Sequence, residues 1–264
     1  MGKIIAVANQ KGGVGKTTTS VNLAASLAAT RARVLLVDMD PQGNATMGSG
    51  VNKHEVEASG CEVLLGEQPI REVMVPSPEG GYMVLPGNGD LTAAEVSLMG
   101  MDDRQRRLAD ALGEVRGEFD YIIIDCPPAL NMLTVNALAA ADGVLIPMQC
   151  EYYALEGLSA LLNTIERVRE SVNPELAIEG LLRTMFDPRN KLSGEVSAQL
   201  TEHFGDKVYR TVIPRNVRLA EAPSYGLPVM KHDRGSRGAL AHLALAGEIL
   251  RRDGRPTTNL PRSA

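Results

Sequence analysis

With 264 residues the chain is long enough to bury the core of one α/β domain and too short for two large ones. It is 44% hydrophobic and 22% charged, the make-up of a soluble protein, and no apolar run reaches the ~18 residues a membrane span needs. A net charge of −5 excludes a chain that coats nucleic acid with its whole surface, though not one with a local basic face.

The opening MGKIIAVANQ goes straight into a strand pattern, which predicts no signal peptide and a cytoplasmic protein. Strands are expected over Lys3–Ala8, Val34–Val37, Tyr82–Leu85, Tyr121–Ile124, Val144–Ile146 and Ala177–Leu182. Most lack polar alternation, as strands covered on both faces of a parallel sheet do. Helical patterns lie between them, over Thr17–Ala29, Asp102–Arg116, Leu155–Ser171, Gly194–His203 and Ser236–Leu250. This alternation predicts an α/β fold, a doubly wound and mostly parallel sheet flanked by helices. No repeat or linker divides the chain, so residues 1–252 are expected to form one domain. The polar, proline-broken segment 253–264 is expected to fray as a flexible tail. Cys61, Cys126 and Cys150 are scattered and odd in number, which fits buried free thiols rather than a disulfide framework or a cysteine metal site.

The first strand runs into QKGGVGKTTT and then a helix, the context a phosphate-binding loop requires. Gly12, Gly13 and Gly15 let the backbone around Val14 curl so that successive N–H groups face phosphate oxygens. The dipole of the helix that starts near Thr17 adds attraction for the anion, and Thr18 lies in its first turn. Lys16 is spaced to reach the β- and γ-phosphates, and the Thr17 hydroxyl to reach Mg²⁺. Gln10 stands where the usual pattern has glycine, so the loop is a variant. Spacing alone leaves its second lysine, Lys11, evenly divided between facing solvent and contacting phosphate.

Acidic residues close two further strands, Asp38 and Asp40 in VDMDPQGNAT and Asp125 in YIIIDCPP. Open parallel sheets bind ligands at the carboxyl ends of their strands. A lone aspartate there is more often a helix cap. Beside a phosphate loop, a hydrated Mg²⁺ becomes the better partner for a carboxylate that is costly to bury.

These three motifs in this order resemble the ParA/Soj partition ATPases, the deviant Walker A group of P-loop NTPases. The resemblance continues through PMQCEYYALEGLSALLNTI and VIPRNVRLAEAPSYGLPV, to about residue 250. It implies an ATP- and Mg²⁺-dependent ATPase, weak until a partner stimulates it. Lys11 then matches the signature lysine that reaches the ATP of the other subunit in a nucleotide-sandwich homodimer. Lys16 matches the ordinary loop lysine, Thr17 the Mg²⁺ ligand, Asp40 the residue orienting the attacking water, and Asp38 and Asp125 the acids on the metal side. Pro214 and Asn216 fall where the family contacts adenine. The implied partners are double-stranded DNA, bound without sequence preference, and a ParB-type centromere-binding protein, in a nucleoid-associated setting without a membrane.

Charge is uneven in a way that fits. Residues 181–237 hold ten basic and six acidic side chains, a balance of +4 against −9 in the rest of the chain. Within that window Arg189 and Arg218 match the family's DNA-contacting positions, with Arg215, Lys191, Arg234 and Arg237 as further candidates. No helix-turn-helix precedes the first strand, so binding is expected through phosphates. A MinD-type membrane-recycling regulator shares the first motifs but needs a C-terminal amphipathic helix that TTNLPRSA does not supply. A metal-cluster or metabolic ATPase of the same fold needs subunit-bridging cysteines, and Cys126 has no suitable companion.

Overall fold

In the computed structural model the chain is described over residues 1–151 and 154–255, without the side chains of 154–156. Eight strands form one sheet: β1 (Lys3–Val7), β2 (Val34–Asp38), β3 (Val75–Pro76), β4 (Met83–Leu85), β5 (Tyr121–Asp125), β6 (Gly143–Gln149), β7 (Ala177–Phe186) and β8 (Val208–Pro214). Their order is β3-β4-β2-β5-β1-β6-β7-β8, with every neighbouring pair parallel except the antiparallel β3–β4.

The pleat explains why the central strands read as unbroken apolar runs. In β1, Ile4 and Ala6 face one core and Ile5 and Val7 the other; in β5, Ile122 and Ile124 oppose Tyr121 and Ile123. Helices over Gly60–Leu65, Leu91–Leu98, Arg107–Val115, Met132–Ala140, Ala154–Ser171 and Lys191–Phe204 contribute to the first core. The second core is closed by α1 (Lys16–Ala28), the short helix Asn44–Gly48 and the last helix, Arg237–Arg252. The sheet is thus doubly wound, as expected.

Two strands escaped the sequence reading, the two-residue β3 and the longer β8. In β8 (VYRTVIP) only Val208, Tyr209 and Ile213 are buried, so it lacks the apolar run of its neighbours. Among the described residues it is an edge strand, pairing only with β7. Its open edge is closed by the last helix: buried Glu248 accepts from the amides of Arg210 (2.8 Å) and Thr211 (2.9 Å) and from the Thr211 hydroxyl (2.7 Å). The segment expected to fray from residue 253 is held over its first three residues. Asp253 pairs with Lys3 at 2.5 Å and accepts from the Tyr121 hydroxyl at 2.8 Å, while Arg255 lies over the Tyr121 ring. Residues 256–264 lie outside the described residues.

Glu248→Ala leaves two edge amides without their acceptor. It is expected to lower unfolding stability by about 1.5–3 kcal/mol, the worth of hydrogen bonds to a charged group, read as a lower urea midpoint at unchanged m.

Candidate nucleotide-binding site

β1 delivers the chain to the loop at the carboxyl end of the sheet, and α1 takes it away. Gly13 (φ 73°) and Gly15 (φ 85°) hold the left-handed geometry that lets the loop curl, and Gly15 caps α1 without a side chain. A Cβ at Gly12 or Gly13 would meet nothing within 4 Å, so no other part of the chain packs against the loop there. No acid stands in the first turn of α1, which leaves its amino-terminal dipole free to attract an anion. The loop is pinned from residues that the sequence did not single out. Asn9 donates to the Pro147 carbonyl (2.7 Å) and accepts from the Lys11 amide (2.9 Å), and the Thr184 hydroxyl donates to the Val14 carbonyl (2.8 Å).

The two lysines differ sharply. Lys16 is 7% exposed and folds back over the loop, its Nζ donating to the Lys11 carbonyl at 3.2 Å. Burial lowers its proton affinity, and the Asp125 carboxylate opposes that loss. The Lys11 side chain is 40% exposed and meets Glu151, itself 52% exposed, at 2.6 Å.

Strand register sets Asp38 opposite Asp125. Asp125 accepts from the hydroxyls of Thr17 (2.8 Å) and Ser20 (2.7 Å). Asp38 is engaged by the loop after β2: the Thr46 amide and hydroxyl both donate to it at 2.7 Å, and the Asp40 amide at 3.2 Å. Asp40 sits at the mouth of that loop, accepting from the Gln42 amide at 3.0 Å. Among the described residues no three His, Cys, Asp or Glu side chains converge to hold a metal alone. A threonine hydroxyl backed by a carboxylate suits a hydrated Mg²⁺ that completes its shell with water and phosphate oxygens.

Loss of solvent raises Asp38 to about 6 and Asp125 to about 7, with nearby carboxylates adding to the shift. Both acids therefore hold their protons more tightly folded than unfolded. Their contribution to stability is full below the ordinary value of 3.8 and is lost as pH rises through about 6 and about 7. In metal- and nucleotide-free buffer, Asp125→Asn removes one such loss. Between pH 6.5 and 8.5, wild-type stability should fall by about 1 kcal/mol relative to the variant, measured by urea denaturation.

A cavity of about 200 Å³ opens beside the loop, lined by Gly15, Thr18, Pro214, Asn216 and Leu219 among others. The Asn216 Oδ1 is buried without a protein partner. Such an acceptor fits a ligand that brings a donor, as the exocyclic amine of adenine does. Arg215 lines the same cavity, which places it at the rim of this site.

The remaining basic candidates divide. Arg189 and Lys191 are exposed in and just after the turn that follows β7, and Arg237 shares a cleft with Pro188 and Pro214. Arg218 lies between Glu221 (2.8 Å) and Asp233 (3.3 Å), and Arg189 is bonded to Asp187 (2.8 Å). Arg234 stands apart, lining a cleft with Ala28, Ala29 and Glu79 at the far end of α1.

An AAA domain family model matches residues 2–178. The sporulation initiation inhibitor protein Soj of Bacillus subtilis is 53% identical, over 94% of this chain and 98% of its own length. The chromosome partitioning protein ParA of Myxococcus xanthus is 52% identical, over 96% and 89%. Among solved structures, the cobyrinic acid a,c-diamide synthase of Mycobacterium smegmatis with bound ADP and magnesium superposes with a TM-score of 0.85 at 38% identity, covering 97% of each chain. Sequence identity at this level, sustained along nearly the whole length of a ParA and a Soj protein, means that the chain belongs to the ParA/Soj family of P-loop ATPases.

Proposed function

We propose that the chain is an ATP-driven switch for DNA partition, in which Mg²⁺ and ATP assemble a sandwich dimer that holds DNA and hydrolysis releases it. The division of labour between the lysines carries this reading: Lys16 is buried under its own loop, whereas Lys11 points outward to an exposed partner. An exposed ion pair is worth less than about 1 kcal/mol, so phosphate charge from a second subunit competes for Lys11 easily. A lysine supplied in trans completes the site only on dimerisation.

Within one subunit, the loop amides, the helix dipole and Lys16 bind and orient the triphosphate. Thr17, with Asp125 behind it, would hold the metal, which supplies charge neutralisation between the phosphates. Asp40 orients the attacking water, and Asp38 fixes the loop that carries Asp40. Pro214 and Asn216 take the adenine. The basic side chains Arg189, Lys191, Arg215, Arg218 and Arg237 meet DNA phosphates, Arg234 being a more remote contributor. A ParB-type protein stimulates hydrolysis on the nucleoid in the cytoplasm.

The Mycobacterium smegmatis likeness raises an amide-forming enzyme as a second reading. At 38% identity against 52% for the Myxococcus xanthus ParA, partition leads.

Lys16→Ala should abolish ATP binding, whereas Lys11→Ala should bind ATP yet stay monomeric in light scattering. An ATP dimer of the Lys11 variant refutes the trans role. For DNA, a dimer that neutralises about four to six phosphates gives a log–log salt slope of roughly −4 to −5. Arg218→Glu should flatten that slope and weaken retention while the ATP dimer persists; unchanged retention moves the basic face elsewhere.

A further inference from the structure

The segment that carries Arg218 touches the nucleotide site at two points beyond the adenine cavity. Helix Val217–Glu221 runs directly into the 3₁₀ turn Ala222–Tyr225, which Gly226 closes with its amide on the Pro223 carbonyl at 3.0 Å. Downstream, the Val229 amide donates to Asn22 of α1 at 2.7 Å, and Asn22 donates to the Thr18 carbonyl at 2.7 Å. That ties the far end of the segment to the phosphate-loop helix.

The near end meets the loop of Asp40. Helix Asn44–Gly48 hangs on Asp38 through Thr46, whose hydroxyl also accepts from the Gly87 amide at 2.9 Å. Its last turn leads to Gly50, whose amide donates to the Met47 carbonyl at 3.0 Å. Gly50 (φ 80°) and Gly226 (φ 64°) then lie backbone against backbone. A Cβ on Gly50 would stand 2.9 Å from the Gly226 oxygen, and one on Gly226 would stand 3.1 Å from the Gly50 Cα. No side chain lies between the two strands of chain, so no rotamer change absorbs a displacement of either.

We infer that the Gly50–Gly226 contact is the mechanical link by which the Asp38–Asp40 loop sets the position of the Arg218 segment, coupling nucleotide state to DNA affinity. This rests on the partition reading above and adds the element that joins its two sites. A positioning contact of this kind must move both partners together. It leaves nucleotide binding intact when broken, because neither glycine lines the phosphate loop.

Two measurements test it. In wild type, hydrogen exchange with and without Mg²⁺ and a non-hydrolysable ATP analogue should change protection over residues 44–50 and 217–227 together. A change confined to residues 44–50 overturns the proposal, and this arm needs no variant and no DNA. The second uses Gly226→Asn, since asparagine tolerates the left-handed conformation and chiefly adds the intruding side chain. ATP affinity should stay within about threefold, while the ratio of DNA affinities in ATP and ADP should fall by about tenfold. A variant folded by circular dichroism that keeps the full ratio also overturns it. If wild type shows no ATP-dependent DNA retention and Arg218→Glu changes nothing, the DNA reading itself has failed, and the exchange arm still decides the coupling.

Discussion

Two carboxylates buried side by side where β2 and β5 end are the constraint around which the site is built. Water cannot reach Asp38 or Asp125, and strand register leaves them opposite one another. Such a pair is tolerable only when hydroxyls, amides or a cation take up its charge. Each surrounding element supplies one of these. Thr17 and Ser20 come from the phosphate-loop helix, Thr46 from the helix after Asp40, and Lys16 brings the nearest positive charge. Donors of the chain itself therefore hold both carboxyl groups in place.

The loop after β2 is ordered around Asp38. Asp38 accepts from the amides of Asp40 and Thr46, while Asp125 accepts from the Thr17 hydroxyl. The two acids share a location but hold different elements, Asp38 the loop after β2 and Asp125 the phosphate-loop helix.

The central strands and the phosphate loop were legible in the sequence because their signals are local. β1, β2 and β5 are apolar runs ended by a loop or an aspartate, and the glycines sit at fixed intervals. β8 was not, because an edge strand half open to solvent loses that signature and its partner Glu248 lies 37–38 residues away. Asn9 pinned to Pro147, Thr184 bonded to Val14, and Glu151 paired with Lys11 act across long stretches of chain. No periodicity announces such bonds. The pairing of Arg218 with Glu221 follows helical spacing and could have been read, whereas Asp233 reaches the same guanidinium only through the fold.

The clasp of Lys3 on Asp253 ties the start of the first strand to the residue that follows the last helix. Lys3 opens β1 and Lys16 lies past its other end, so this ion pair stands a strand-length from the phosphate-binding loop. Fusing a reporter ahead of Lys3 thus leaves the nucleotide face unobstructed.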